Sequence, residues 1–108
     1  MKFIIRFDIR RAGMKFEETL THDSALLTAF SQWTPPDGFT IHQFVTTLVN
    51  DSGYLVVDAT DSAVIHSVLF KFRVWDDFEV IPVVDVTPEL VVTLNESLDW
   101  ARDAATTS

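Results

Sequence analysis

The opening residues alternate between apolar and polar positions with a period of two. In Lys2–Ile9, one side of the chain carries large apolar residues only: Phe3, Ile5, Phe7 and Ile9. This pattern predicts a β-strand with one strongly apolar face. Two later runs, Phe39–Val49 and Tyr54–Ala59, are rich in β-forming residues, and the turn sequence NDSG at 50–53 predicts an antiparallel hairpin between them. The run Phe78–Val84 predicts a fourth strand.

Three segments have the apolar spacing of helices. The first lies within Met14–Trp33, where Thr21, Asp23 and Ser24 are candidate N-caps and 14–20 is either an earlier helical turn or an extended arm. Its helical spacing is carried by Leu26, Leu27, Phe30 and Trp33. The second helix follows the predicted N-cap Asp61, and its buried face is predicted to hold Val64, Ile65, Val68, Leu69 and Phe72. These helices are expected to pack on the sheet.

The third predicted helix, Pro88–Arg102, follows the N-cap Thr87 and places Pro88 at its first position. Its apolar stripe consists of Leu90, Val91, Leu94, Leu98 and Ala101. We expect this stripe to pack on its own subunit. Trp100 lies off the stripe and either contacts a partner subunit or fills a gap beside its own core.

The predicted element order is β-α-β-β-α-β-α, which is an α+β, ferredoxin-like βαββαβ fold with an extra C-terminal helix and a four-stranded antiparallel sheet. Residues 1–104 are predicted to form a single domain, and 105–108 a frayed tail. Two helices cover one face of such a sheet. The other, open face is predicted to carry Ile4, Phe44, Val56, Ile81 and Val83. These residues are too apolar to leave in water, so we predict a homodimer in which two open faces meet.

Composition narrows the function classes. The 108 residues carry a net charge of −8, from 16 acidic and 8 basic residues, which disfavours nucleic acid as a partner. The chain has no Cys, so disulfides and thiolate chemistry are excluded. The charged start MKFIIRFDIRR does not fit a signal peptide and no run is long enough for a membrane span, so a cytoplasmic protein is expected.

The titratable residues give few signs of chemistry. His22 is expected at the surface near a helix start, and His66 is expected to be exposed. The three histidines lack the spacing of a local metal site, so no metal and no cofactor are predicted. The pair Asp76–Asp77 is expected in a solvated loop, because adjacent strand residues point to opposite faces and share a proton poorly.

The open face offers the candidate ligand contacts. Arg6 and Glu79 lie on neighbouring strands of this topology and are expected to meet there. With His42 and Tyr54 from the hairpin, they would be the few polar groups in an apolar surface, which is typical of small-molecule sites. The predicted ligand is small and apolar. The alternative is that Arg6 and Glu79 form a structural ion pair inside a dimer interface.

Two segments resemble a known family. The sequence GYLVVDATD at 53–61, followed by an apolar helix and FEVIPVVDV at 78–86, is similar to short bacterial proteins of unknown function in the dimeric α/β-barrel group; MKFIIRFDI at 1–9 fits more loosely. The resemblance implies a dimeric α/β barrel and supplies no catalytic residues. Related barrels include cofactor-independent monooxygenases, small isomerases and haem-handling enzymes. The second strand of the resembled family often carries an aromatic-basic step that this chain lacks, since FTIHQFV stands there at 39–45.

Two functions are therefore predicted. The favoured one is a homodimeric structural or small-molecule-binding module, because no strong catalytic constellation is present. The alternative is a cofactor-independent monooxygenase-like or isomerase-like enzyme that uses the barrel interior, with Arg6, His42 and Glu79 as its polar groups.

Overall fold

A computed structural model describes residues 1–106. Its elements are β1 (Lys2–Ile9), α1 (Phe16–Ser31), β2 (Phe39–Thr46), β3 (Ser52–Ala59), α2 (Ser62–Phe72), β4 (Asp76–Val83) and α3 (Pro88–Thr106). The predicted α+β class and the order β-α-β-β-α-β-α are confirmed, and they fit a ferredoxin-like fold. The last helix continues two residues into the segment 105–108 that was predicted to fray. Positions 107 and 108 lie outside the described residues.

The sheet has the strand order β2-β3-β1-β4, and every neighbouring pair is antiparallel. The central strand β1 pairs Ile4 with Val56 of β3 on one side and with Ile81 of β4 on the other. The predicted placement of the fourth strand beside the first is therefore confirmed.

The core lies between the sheet and α2. Alternation buries Ile5 and Val57 completely on this helix-side face, and α2 adds the buried residues Ile65, Val68 and Phe72. The predicted cap of α2 is confirmed, because the Asp61 side chain accepts a hydrogen bond of 3.0 Å from the backbone N–H of Val64. Packing on the sheet stabilises this helix despite its β-branched residues.

Helix α1 begins at Phe16, so segment 14–20 contributes its first turn, and the candidate caps Thr21, Asp23 and Ser24 are wrong. The Glu18 side chain instead accepts a hydrogen bond of 3.3 Å from the backbone N–H of Lys15. No α1 residue is fully buried. Helix α1 is therefore packed less closely on the sheet than α2 is.

A β-bulge in β2 changes which side chains face the helices. The register passes from Ile41 opposite Val57 to Gln43 opposite Val56, so His42 is the extra residue. Phe44 consequently lies on the helix side, where its ring centroid is 5.7 Å from that of Phe7. The prediction that Phe44 lies on the open face is wrong, because one inserted residue moves every later side chain to the other face.

Helix α3 leaves its apolar stripe largely uncovered. Leu94, Leu98 and Trp100 are all exposed, Trp100 at 73% of its surface, and no α3 residue is buried. The 19-residue helix is about 28 Å long, and the described chain extends 66 Å along its longest axis but only 32 Å across. Both accounts that packed α3 or Trp100 against its own subunit are wrong. The stripe exists as predicted, but within residues 1–106 nothing buries it.

Candidate functional site

A cavity of about 350 Å³ lies between α1, α2 and the helix-side face of the sheet. Most of its wall is apolar, with contributions from Ile5, Phe7, Leu26, Phe30, Trp33 and Val68. At one end, the wall is polar and includes Arg11, Asp23 and Asp76. The site is therefore an apolar space with a polar end, which we call the helix-side cavity.

Two sets of contacts position α1 beside the cavity. Near its C-terminus, Phe30 lies edge-on to Phe44 at 5.3 Å between ring centroids, and Trp33 contacts Phe72 in the same way at 5.4 Å. Near its N-terminal half, Asp23 is held by Arg11. The cavity therefore lies beneath the C-terminal half of α1, between the ion pair and the large rings.

The ion pair at the polar end is bidentate. Arg11 Nε donates to Asp23 Oδ1 at 3.0 Å, and Arg11 Nη2 donates to Asp23 Oδ2 at 2.9 Å. Arg11 Nη2 also donates to the backbone oxygen of Asn50 at 3.1 Å, which ties α1 to the β2–β3 turn. The hydrogen bonds from Arg11 lower the pKa of Asp23 despite partial burial, so Asp23 stays ionised.

Asp76 is the buried carboxyl group of the site. It is the first residue of β4, lies opposite Ile9 of β1, and is only 7% exposed. Its Oδ1 atom has no hydrogen-bond partner among residues 1–106. Burial raises the pKa of Asp76 to about 6. The prediction that Asp76 lies in a solvated loop is wrong.

The neighbouring carboxyl group has the opposite environment. Asp77 is 67% exposed and forms an ion pair with Arg10 Nε at 3.1 Å. Arg10 Nη2 donates to the backbone oxygen of Asp76 at 3.3 Å, not to its side chain. Adjacent strand residues thus point to opposite faces, as predicted.

His22 is also buried, against the prediction that it lies at the surface. Its side chain is 10% exposed, and Nδ1 lies 3.3 Å from Asp23 Oδ1. Its Nε2 atom is buried and has no partner within the described chain. Because α1 begins six residues before His22, this side chain lies within the helix, on the face that Leu26 continues one turn later. Extending that spacing backwards by four residues from Leu26 would have revealed it.

On the open face, three of the four predicted ligand contacts form one row. Tyr54 of β3 lies opposite Arg6 of β1, which lies opposite Glu79 of β4. The expected neighbourhood of Arg6 and Glu79 is therefore confirmed. The ion pair of Arg6 is instead with Asp8, at 3.3 Å between Nε and Oδ2, and its guanidinium carbon lies 6.0 Å from the centroid of the Tyr54 ring.

The fourth predicted contact, His42, lies apart from this row. Its Nε2 atom is hydrogen-bonded to the carboxylate of Asp58, which lowers the pKa of Asp58. Asp58 is four residues from Tyr54 along β3, a distance of about 14 Å. Ligand contact by these four residues stays a prediction. His66 is exposed as predicted, and its ring is stacked on Phe70.

Two further features concern residues 1–106. This part of the chain has no group of three or more His, Asp or Glu side chains placed to hold a metal ion. It also has no helix with the length and apolar character needed to cross a membrane.

These features define an α+β protein with a four-stranded antiparallel sheet and a helix-side cavity. The chain belongs to the family described as Domain of unknown function (DUF3303), whose model matches residues 1–96. The expectation of an unknown-function family is confirmed. No match is found among curated proteins. The matched residues include the whole sheet and both helices that enclose the cavity.

Proposed function

We propose that the protein is a homodimeric module that binds a small, mainly apolar molecule in the helix-side cavity of each subunit. The observation that carries this proposal is the cavity itself, at about 350 Å³. Ligand sites begin at about 300 Å³ and are mostly apolar with few polar groups, and the cavity has both properties.

The homodimer is supported by the composition of the open face. Ile81 on the edge strand β4 is 40% exposed, and Tyr54 on β3 and Val45 on β2 are each 43% exposed. The surrounding half-buried residues on the same face are Ile4, Val56 and Val83. A second copy of this chain would cover them with an identical surface, as in isologous dimers.

The stripe of α3 provides a second contact area for that partner. No residue of α3 is buried, so the folded core does not depend on this helix. We predict that a chain ending at Val86 keeps its folded core but dimerises at least tenfold more weakly. Sedimentation velocity over a concentration series measures the dimer, and far-ultraviolet circular dichroism checks the fold. Unfolding of the shortened chain, or an unchanged dimer, would contradict this role for α3.

The alternative function, a cofactor-independent enzyme, is favoured by one observation. A buried carboxyl group whose pKa is about 6 can take up and release a proton near neutral pH, as general acids and bases do. Such an enzyme would use Asp76 in the helix-side cavity. Binding of a ligand there is common to both functions, so it is the property to test first.

Filling the cavity tests ligand binding. We predict that naphthalene binds the natural protein and that Leu26→Trp weakens this binding at least tenfold, because the larger ring occupies the space beneath α1. Titration followed by amide chemical shifts measures the affinity. The matched control is Leu48→Trp, at a turn position that is 104% exposed and outside the cavity wall. Equal binding by both variants, or none by the natural protein, would contradict the proposed function.

A further inference from the structure

We propose that the ligand is a neutral phenol or alcohol whose hydroxyl group donates a hydrogen bond to Asp76 Oδ1. The proposal rests on the proposed function of the helix-side cavity and names the chemical class that its polar end selects. Three observations lead to it: the missing partner of Asp76, the missing partner of His22, and the balance of charge at that end.

The first observation is that Asp76 lacks a donor. A buried carboxyl oxygen without a hydrogen bond is costly, so a partner is expected in the working protein. The two nearby arginines are engaged elsewhere: Arg10 with Asp77 and a backbone oxygen, and Arg11 with Asp23 and Asn50. Since Asp76 lines the cavity, a bound molecule can reach it and supply the hydrogen.

The second observation concerns His22, which is buried beside the same end. Asp23 stays ionised and lies next to His22 Nδ1, so it favours the tautomer in which Nδ1–H donates. The Nε2 atom is then an acceptor, and it too has no partner within residues 1–106. Both unpartnered atoms therefore accept hydrogen bonds. A hydroxyl group supplies a hydrogen, whereas a ketone or an ether does not.

The third observation is that this end disfavours a charged ligand of either sign. An anion would enter beside Asp23 and Asp76, where the bidentate pair already uses the Arg11 guanidinium. An ammonium group would lose its hydration on entering the apolar cavity and would lie beside the Arg11 guanidinium in its wall. A neutral donor avoids both penalties.

Four probes that share the naphthalene ring test the proposal at pH 7.5: naphthalene, 2-naphthol, 2-naphthoate and 1-naphthylmethylamine. We expect the full-length protein to bind 2-naphthol about tenfold more tightly than naphthalene, because one hydrogen bond to a charged acceptor is gained. Asp76→Leu should reduce the affinity for 2-naphthol to that for naphthalene and leave naphthalene binding unchanged. The control is Asp77→Leu, which removes the exposed neighbouring carboxylate and should keep the preference for 2-naphthol.

Each other outcome overturns a defined part of the account. Equal affinities of the natural protein for 2-naphthol and naphthalene would overturn hydroxyl recognition and leave the cavity's function intact. Tighter binding of 2-naphthoate or 1-naphthylmethylamine would show that the end recognises charge. A preference for 2-naphthol that survives Asp76→Leu would show that another group receives the hydroxyl. Failure of all four probes to bind would overturn the proposed function together with this inference.

Discussion

Replacing Asp76 with Leu is expected to raise the free energy of unfolding by about 2 kcal/mol at pH 8 and by about 1 kcal/mol less at pH 5. The reason is that burial raises the pKa of Asp76 from 3.8 to about 6. Between these two values, the folded protein holds a proton that the unfolded chain releases. Stability therefore falls as the pH rises through this window, and the full cost of the buried charge is present above pH 6.

Urea denaturation of the natural protein and the variant at pH 5 and pH 8 measures this effect. The matched control is Asp77→Leu, where the exposed carboxylate should change stability by less than about 0.5 kcal/mol at either pH. A gain from Asp76→Leu that is equal at both pH values would show that burial of the charge is not its cause. A loss of stability would show that the carboxyl group supports the fold. A residue such as Asp76 that lowers the stability of the folded protein is expected in a site that serves ligand binding.

Introducing a charge on the open face, at Ile81 of the edge strand β4, is expected to separate the dimer. Ile81→Asp should weaken dimerisation at least about a hundredfold, because an unpaired carboxylate in an apolar interface costs several kcal/mol and an isologous dimer contains it twice. Sedimentation equilibrium measures the dissociation constant. Leu48→Asp is the matched control, because Leu48 lies in the exposed β2–β3 turn.

The natural protein itself provides the stricter test of this claim. We expect it to sediment as a dimer at about 10 μM, a concentration at which contacts of a standard-size interface persist. A monomer under these conditions would contradict the open-face dimer. A dimer that resists Ile81→Asp would place the interface on another surface, such as the stripe of α3.

Much of the fold could be predicted from local patterns. Alternation in β1 identified the buried face, and the predicted caps Asp61 and Thr87 both accept hydrogen bonds from backbone N–H groups three residues later. These features depend on neighbours in sequence, so they can be read directly. The bulge at His42 could not be read in this way, because its register is set by pairing with β3. The surface that covers α3 likewise depends on partners outside the helix.

The candidate site was missed for a related reason. Acidic pairs are usually solvated, and the prediction for Asp76 followed this general tendency. The specific signal was the alternation of Phe78 and Val80. Extended backwards by two residues, it places Asp76 on the helix side of the sheet. His22 was missed because the start of α1 was placed too late. Asp76 and His22 are both polar residues at positions where the periodic pattern of the strand or helix predicts an apolar residue. Such residues indicate a buried polar site when the strand or helix is long enough for its buried face to be identified.

Mapping bound 2-naphthol by amide and indole chemical shifts tests most directly whether the helix-side cavity is the binding site. The account predicts that the largest shifts fall on Ile5, Leu55, Asp76 and the indole N–H of Trp33, all of which belong to residues that line the cavity. Shifts confined to the open-face residues Arg6, His42, Tyr54 and Glu79, or no shifts at all, would contradict it.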